Sequence, residues 1–157
     1  MSLSQRKIPS PVGELYLVAS TKGLRGIYNQ KQAVPLKASE LLDSASREIH
    51  EYFSGDRKKF TVPLDFEGTD FQKKVWSELV KIPYGTTVSY RDIATRISSP
   101  KAVRAVGSAN GRNPLWIVVP CHRVIAADGG LGGYAGGLKM KSKLLELEGL
   151  ESEGLAS

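Results

Sequence analysis

One short segment holds the side chains best suited to chemistry. Residues 119–124 read Val-Pro-Cys-His-Arg-Val, and Cys121 is the only cysteine in the chain. A lone cysteine forms no intramolecular disulfide and builds no structural metal site. Cys121 is therefore either a buried, inert thiol, which is common for free cysteine, or a nucleophile. His122 is a candidate base beside it, and Arg123 adds positive charge that would favour the thiolate.

A glycine-rich segment follows the Cys-His pair. Residues 128–137 read Asp-Gly-Gly-Leu-Gly-Gly-Tyr-Ala-Gly-Gly, with six glycines in ten positions. Glycine lets a ligand approach the backbone closely, and Tyr134 in the middle favours a pocket wall over a linker. The Gly-Lys-Ser/Thr ending of a phosphate loop does not follow. The segment is therefore interpreted as the wall of a binding pocket and not as a phosphate-binding loop.

Basic residues are concentrated in the middle of the chain. The formal net charge is +6, from 22 Lys and Arg against 16 Asp and Glu. Between residues 73 and 123, nine basic residues face two acidic ones, an excess larger than the charge of the whole chain. This concentration favours an anionic polymer as partner over an ordinary solvated surface. The nine are Lys73, Lys74, Lys81, Arg91, Arg96, Lys101, Arg104, Arg112 and Arg123.

The first half is predicted to contain sheet and one helix. Strands are expected over 14–20 and 24–28, joined by a hairpin turn at Thr21-Lys22-Gly23, with a further strand over 59–64. Between them, apolar residues recur at helical spacing from Leu41 to Phe53, and Gly55 ends that helix. We find no pairing of a nucleophile with a base in this half, and we interpret His50 as a helix-surface residue.

The second half, from about residue 67, is predicted to be mostly helical. Thr69 with Gln72 forms a capping box for one helix, and Ser89 with Asp92 marks the start of the next. Ser99-Pro100 opens a third helix, with proline at its first position. Two short helices joined by a tight turn, the second basic and rich in small residues, suggest a helix-turn-helix. The small residues favour close backbone approach to a groove over side-chain reading of bases.

Length and composition describe an ordinary globular protein. The 157 residues are 41% hydrophobic and 24% charged, enough for one full core or two small domains. No apolar run approaches the roughly 20 residues of a membrane span, and the N-terminus lacks a signal-peptide core. We therefore expect an intracellular protein without a membrane partner, in the cytoplasm or, in a eukaryote, the nucleus, a location that also suits a free thiol.

Six motifs occur in a characteristic order over residues 69–149. They are Ser89-Tyr90, Lys101-Ala102-Val103-Arg104-Ala105-Val106-Gly107, Asn113-Pro114, Pro120-Cys121-His122-Arg123-Val124, Tyr134 with Gly136-Gly137-Leu138, and Glu148-Gly149. Together they resemble the O6-alkylguanine-DNA alkyltransferase family. The resemblance implies an α+β fold with a small N-terminal α/β domain, ribonuclease H-like, over residues 1–66. A mostly helical winged helix-turn-helix domain, catalytic and DNA-binding, would occupy 67–157.

The activity implied by the resemblance is DNA repair by direct reversal. One alkyl group moves irreversibly from guanine O6 to Cys121, with O4-alkylthymine as a further candidate substrate, and the protein is consumed. In the family the cysteine is deprotonated through a water and a histidine, here His122, which a glutamate, here Glu148, orients. Tyr90 would donate its phenol to guanine N3 and so neutralise the leaving group. Asn113 would brace the active-site turn.

The resemblance also implies how DNA is held. The partner would be double-stranded DNA carrying O6-alkylguanine, bound through the minor groove by a protein monomer, with the damaged nucleotide flipped out. Arg104 would fill the gap in the base stack, and Lys101 would contact phosphate. Ala102 and Ser108 belong to the same DNA-binding helix. The pocket for the base would be lined by Tyr134, Ala135, Gly136 and Val124.

The family needs no cofactor for this reaction, and a metal is excluded here by ligand count. Some relatives hold a structural zinc in the N-terminal half through cysteines and histidines, whereas this chain offers only Cys121, His50 and His122. Three other functions remain open from the residues: a non-catalytic binder of alkylated DNA, a winged-helix regulator with an inert thiol, and a small cysteine hydrolase. The presence of Cys121 weighs against the first, and the basic stretch weighs against the last.

Overall fold

The computed structural model describes residues 2–126, 134 and 136–150, which form helices and two small sheets, an α+β fold as predicted. The chain divides into two compact units. The first comprises Met1–Glu67 and Pro114–Val118, and the second comprises Gly68–Asn113 and Val119–Ser157. The chain therefore passes from one unit to the other three times, and the last crossing comes just before Cys121.

The sheet of the first unit has three antiparallel strands in the order β1-β2-β3. They are β1 (Ser4–Ile8), β2 (Leu15–Ala19) and β3 (Leu24–Tyr28). The predicted hairpin between β2 and β3 is confirmed. Gly23 is required in its turn because a Cβ atom there would lie 2.7 Å from the Pro63 carbonyl oxygen. The sequence analysis did not predict β1, whose residues are mostly polar.

One helix packs on this sheet. Helix α1 (Glu40–Phe53) begins after Ser39, whose side chain accepts a hydrogen bond from the Leu42 N–H, and it buries the apolar face that the sequence predicts. The predicted strand over 59–64 is wrong. In that stretch the structure has only an isolated bridge between Leu24 and Leu64, while the buried Glu48 carboxylate binds the N–H groups of Thr61 and Val62.

Three helices form the helix-turn-helix part of the second unit. They are α2 (Asp70–Leu79), α3 (Tyr90–Arg96) and α4 (Val103–Gly111). The predicted capping box at Thr69 and the predicted helix start at Ser89, which is also a capping box, are confirmed. The predicted start of the third helix at Ser99-Pro100 is wrong. The Ala102 N–H bonds the Ser99 carbonyl in a separate turn, and α4 begins only after Ala102, without a side-chain cap.

A two-stranded parallel ladder connects the helix pair to the reactive segment. Strand β4 (Val88–Ser89) immediately precedes α3, and strand β5 (Val124–Ile125) immediately follows the short 3-10 turn at Cys121–Arg123. The ladder therefore brings the start of α3, at Tyr90, beside the cysteine segment. The last helix among the described residues of this unit is α5 (Leu138–Leu147). Over the described ranges, no helix is long and apolar enough to cross a membrane.

Candidate active site

The backbone before Cys121 is held in a tight turn. Pro120 has φ −79° and ψ 62°, and the Cys121 N–H donates to the Val119 carbonyl at 2.7 Å, which is the geometry of an inverse γ-turn. The Asn113 amide, itself buried, donates to the same carbonyl at 2.9 Å. Asn113 thus braces the turn, in the position that the resemblance implies. Only 1% of the Cys121 surface is exposed.

His122 and Glu148 form a buried pair beside this turn. His122 Nε2 lies 2.7 Å from Glu148 Oε2, and both side chains are fully enclosed. Burial alone would raise the pKa of the Glu148 carboxyl. Hydrogen bonds from His122 and Arg123 outweigh burial and hold that pKa well below its usual range. The ionised carboxylate can only accept, so Nε2 carries the proton and donates it.

The tautomer leaves the other ring nitrogen of His122 as an acceptor. Nδ1 is buried and has no hydrogen-bond partner among the residues that the structure describes. Burial lowers the pKa of His122 despite the opposing effect of Glu148, so the ring is neutral at neutral pH. A neutral, oriented imidazole with a free lone pair is suited to accept a proton.

Arg123 holds the glutamate and not the thiol. Its Nε and Nη2 donate to the two oxygens of Glu148 at 2.8 and 3.0 Å, and its Nη1 donates to the Ile82 carbonyl at 2.7 Å. The Tyr84 ring lies 5.6 Å from the guanidinium carbon. The sequence suggested Arg123 as the charge that favours the thiolate, but in the structure it is the counter-charge of Glu148.

The end of helix α5 fixes the position of Glu148. The residue caps the helix, and Gly149 follows at φ +92°, a left-handed conformation that glycine adopts readily. The N–H groups of Gly149 and Leu150 bond the carbonyls of Glu146 and Leu145, which is a Schellman motif. The Gly85 N–H donates a further hydrogen bond to Glu148 Oε1 at 3.1 Å.

Cys121 rests as a thiol. Burial raises its pKa to about 11, although interactions with the Asn113 and Tyr134 side chains act in the opposite direction. A thiol of this kind needs a base before it can act as a nucleophile, and His122 is adjacent. The arrangement can therefore deprotonate and use Cys121 when a reacting group enters.

Sequence reasoning missed one charged residue of the site. Lys141 in helix α5 has no exposed surface, and its Nζ donates to the Val124 carbonyl at 2.7 Å. Burial lowers the pKa of Lys141 to about 8, while the electrostatic interaction with Cys121 raises it in part. Lys139 and Lys143 on the same helix are exposed, so a run of alternating lysines gave no signal that the middle one is enclosed.

Three of the four residues predicted for the pocket, Val124, Tyr134 and Gly136, lie within the described ranges. Val124 is buried. Tyr134 is half-buried, and its side-chain hydrogen bond with the Cys121 thiol lowers the pKa of that thiol. At Gly136 a Cβ atom would lie 2.7 Å from Met140 Sδ and 2.8 Å from the Tyr134 ring, so a larger residue there would have to displace these two side chains. Ala135, also predicted for the pocket, lies outside the described residues.

The predicted DNA-binding residues lie on helix α4 and the turn before it. Lys101, Arg104 and Ser108 are exposed, and Ala102 is half-buried. In the described part of the chain, Arg104 forms no salt bridge with an acidic side chain. Tyr90 is half-buried, and a Cβ atom at Gly107 would lie 3.9 Å from its ring. A Cβ atom at this distance would make an ordinary van der Waals contact with the ring, so α4 packs against Tyr90 here without requiring glycine.

No group of three or more His, Cys, Asp or Glu side chains that could hold a metal occurs in the described ranges. The candidate chemical groups that the structure does describe are Cys121, His122 and Glu148. A base oriented by a carboxylate can remove the proton of a buried thiol and so generate a thiolate nucleophile.

Two family models match the chain. A ribonuclease-like domain of 6-O-methylguanine DNA methyltransferase matches residues 3–66, and the DNA binding domain of the same family matches residues 70–150. These matches confirm the fold class predicted from the sequence, an α/β N-terminal domain followed by a DNA-binding domain.

Relatives from several organisms support the same assignment. Methylated-DNA–protein-cysteine methyltransferase of Methanosarcina acetivorans is 49% identical over 147 residues, covering 89% of this chain and 94% of that protein. The inducible enzyme of that name from Bacillus subtilis is 44% identical, covering 85% and 83%. The crystal structure of Mycobacterium tuberculosis OGT in complex with DNA is similar with a TM-score of 0.86 at 44% identity, covering 93% of each chain. The chain therefore belongs to the 6-O-methylguanine-DNA methyltransferase family.

Proposed function

We propose that this protein repairs alkylated DNA by direct reversal, with Cys121 as the permanent acceptor of the alkyl group. The main support for the proposal is that Cys121, His122 and Glu148 are all buried, with Glu148 orienting His122, in a chain that belongs to this family. The M. tuberculosis relative was crystallised with DNA, which supports DNA as the partner of this chain. The substrate that best fits the chemistry is O6-alkylguanine.

The reaction balances with the groups at the site. The Cys121 thiol loses its proton to Nδ1 of His122, through an intervening water as the family resemblance implies. The thiolate attacks the alkyl carbon, so that the S–C bond forms while the C–O6 bond breaks. The electron pair of the broken bond goes to the guanine, which takes up one proton and leaves as an ordinary base; in the overall balance this is the proton that the thiol gave up. Glu148 stabilises the imidazolium that forms in the first step.

Transfer of an alkyl group to sulfur from a saturated carbon needs no oxyanion hole, and the backbone N–H of Cys121 is not available to form one. In a cysteine hydrolase, backbone N–H groups near the nucleophile would stabilise an oxyanion. Here the Cys121 N–H is already bonded to the Val119 carbonyl at 2.7 Å. This argues against the hydrolase alternative. The presence of the thiol itself, beside an oriented base, argues against a purely non-catalytic lesion binder.

Access to the buried thiol requires that the nucleotide leave the stack, at a cost of a few kcal/mol. We propose that Arg104, exposed on α4, replaces the extruded base, and that Lys101 contacts phosphate. The face of α4 offers Ala105 and Ser108, which are small enough for the backbone to enter the minor groove. Tyr90 at the start of α3 would donate to guanine N3 as the charge develops there. One monomer would act on one lesion.

The test is the intact mass of the protein after incubation with a duplex that carries one O6-methylguanine. The proposal predicts a gain of one methylene, saturating at one per protein, in the wild type and not in Cys121→Ala. The same duplex with an unmodified guanine is the matched control. Binding without any gain in mass would indicate a lesion-recognition protein. Turnover of an ester or amide without DNA would indicate a hydrolase.

A further inference from the structure

A short turn between helix α2 and strand β4 contacts Glu148 from outside the cysteine segment. It comprises residues 82–86 and is called here the 82–86 turn. The N–H and the hydroxyl of Thr86 both donate to the Pro83 carbonyl, at 3.2 and 2.8 Å, and close it. Gly85 has φ +76°, the positive value that a type II turn requires at its third residue. The turn therefore has a defined conformation in which glycine is favoured.

Gly85 contacts Glu148 directly. Its N–H donates to Glu148 Oε1 at 3.1 Å, and a Cβ atom at Gly85 would lie 3.2 Å from the Glu148 carbonyl oxygen. His122 and Arg123, which also donate to this carboxylate, are consecutive residues of the cysteine segment. Gly85 binds the carboxylate from a separate part of the chain, so it can fix the position of Glu148 relative to the imidazole.

Tyr84, the residue before Gly85, contacts the two groups next to that carboxylate. Its hydroxyl donates to the Leu147 carbonyl at 3.3 Å, one residue before Glu148. The guanidinium carbon of Arg123 lies 5.6 Å from the centre of the Tyr84 ring, within the range of a cation–π contact. The 82–86 turn thus holds both the backbone before the carboxylate and the counter-charge that pairs with it.

The orientation of His122 depends on the position of Glu148. The contact of Nε2 with Glu148 Oε2, at 2.7 Å, is the only hydrogen bond of the His122 ring among the described residues. A carboxylate at this point keeps the proton on Nε2 and leaves Nδ1 as an acceptor. A displaced carboxylate would no longer select that tautomer, and the ring could carry its proton on either nitrogen.

We propose that the 82–86 turn is a positioning element, which holds Glu148 where it selects the reactive tautomer of His122. Tyr84 and Gly85 are its positioning residues, and neither takes part in a bond-making step. A displacement of about 1 Å, caused by a change away from the reacting atoms, can lower a rate by about 10²-fold. The proposal rests on the proposed function only in taking the His122 ring as the base for the thiol.

Substitutions at the two positioning residues test the proposal. Gly85→Ala places a Cβ atom at a positive φ and 3.2 Å from the Glu148 carbonyl oxygen, so the turn or Glu148 must shift. Gly55→Ala is the matched control, because Gly55 has a similar φ of +85° but open space around an added Cβ atom. Both alanine variants should lose stability from backbone strain. Tyr84→Leu removes the ring and the hydroxyl, whereas Tyr84→Phe removes only the hydroxyl.

The readout is the protonation of each ring nitrogen of His122, observed by NMR with isotope-labelled histidine. The chain has only two histidines, and the exposed His50 serves as an internal reference. We expect the wild type and Gly55→Ala to carry the proton of neutral His122 on Nε2 alone. Gly85→Ala and Tyr84→Leu should also show the form protonated on Nδ1, with single-turnover alkyl transfer slowed by about 10–10²-fold. Tyr84→Phe should show a smaller change of both kinds.

Two results would overturn the proposal. One is the wild-type tautomer of His122 in a folded Gly85→Ala or Tyr84→Leu protein, even if transfer is slower. The other is a change of tautomer as large in Gly55→Ala, which would indicate a general effect of lost stability. If Gly85→Ala does not fold, Tyr84→Leu decides, compared with Tyr84→Phe. The NMR samples contain no DNA, so a failure of the proposal is distinguishable from a failure of the wild type to accept an alkyl group.

Discussion

Replacing Glu148 by glutamine should damage the protein in two separable ways. The first is structural. Arg123 is 5% exposed and donates two of its hydrogen bonds to Glu148. Without the carboxylate, a buried guanidinium has no counter-charge, and removing one partner of a buried pair costs about 3–5 kcal/mol. Against a typical total stability of about 5–15 kcal/mol, Glu148→Gln should fold but unfold at lower denaturant concentration.

The second effect is chemical. A glutamine amide can donate to His122 Nε2, and the ring then carries its proton on Nδ1. That nitrogen could no longer accept the thiol proton, so the wrong tautomer would be held beside the nucleophile. A comparable tautomer change in a serine protease triad lowers the rate by about 10⁴-fold. We expect a loss of alkyl transfer on the order of 10²–10⁴-fold.

A double variant distinguishes the two effects. Combining Glu148→Gln with Arg123→Met removes the uncompensated charge, so most of the lost stability should return. The alkyl-transfer rate should stay low, because His122 still lacks its carboxylate. Urea unfolding gives the stability, and single-turnover transfer from a lesion-bearing duplex gives the rate. Glu146→Gln, an exposed residue of the same helix, is the control and should change stability by no more than about 0.5 kcal/mol.

A Glu148→Gln variant as stable as the wild type to within about 1 kcal/mol would show that the buried pair of Arg123 and Glu148 does not stabilise the fold as described. A double variant that regains the rate together with the stability would contradict the chemical effect. That outcome would mean that Glu148 supports only Arg123 and does not orient His122.

Three further predictions concern other parts of the molecule. Alkyl transfer should decline as the pH falls below the ordinary histidine range, because burial lowers the pKa of His122 and only the neutral ring accepts a proton. Single-turnover rates measured across mildly acidic pH check this prediction. A rate that rises on acidification would contradict it. Glu48→Ala should destabilise the first unit by about 2–3 kcal/mol in urea unfolding, since truncation removes the carboxylate that accepts from the N–H groups of Thr61 and Val62 and from the Thr61 hydroxyl. A loss no larger than that of an exposed glutamate would contradict this one. Arg104→Ala should slow repair of a duplex lesion yet leave the reaction with a free O6-alkylguanine base unchanged, and equal slowing of both would contradict its proposed place in the base stack.

The features predicted well from the sequence are those whose partners lie a few residues apart. The capping boxes of Thr69 and Ser89 form between a side chain and the next turn, so they depend on little else. The hairpin at Gly23 is equally local. The Cys-His motif is local in the same sense, because the candidate nucleophile Cys121 and the candidate base His122 are consecutive residues.

Features that depend on distant partners were missed. Strand β1 reads as a polar stretch until β2 pairs with it, and residues 59–64 read as a strand although the carboxylate of Glu48 takes up their backbone donors. The burial of Lys141 and the pairing of Arg123 with Glu148 arise only once helix α5 is in place. Glu148 itself was placed by resemblance, since 25 residues separate it from Arg123.

The three crossings of the chain have a consequence for cutting the protein in two. Pro114–Val118 belongs to the unit formed by Met1–Glu67, where Ile27 donates to the Pro114 carbonyl and Leu115 and Ile117 have no exposed surface. A fragment ending at residue 67 would lack this insert, and a fragment starting at residue 68 would expose it. Neither piece is a complete module by itself. Co-produced fragments should instead complement each other, because the apolar insert carried by the second fragment completes the unit formed by the first.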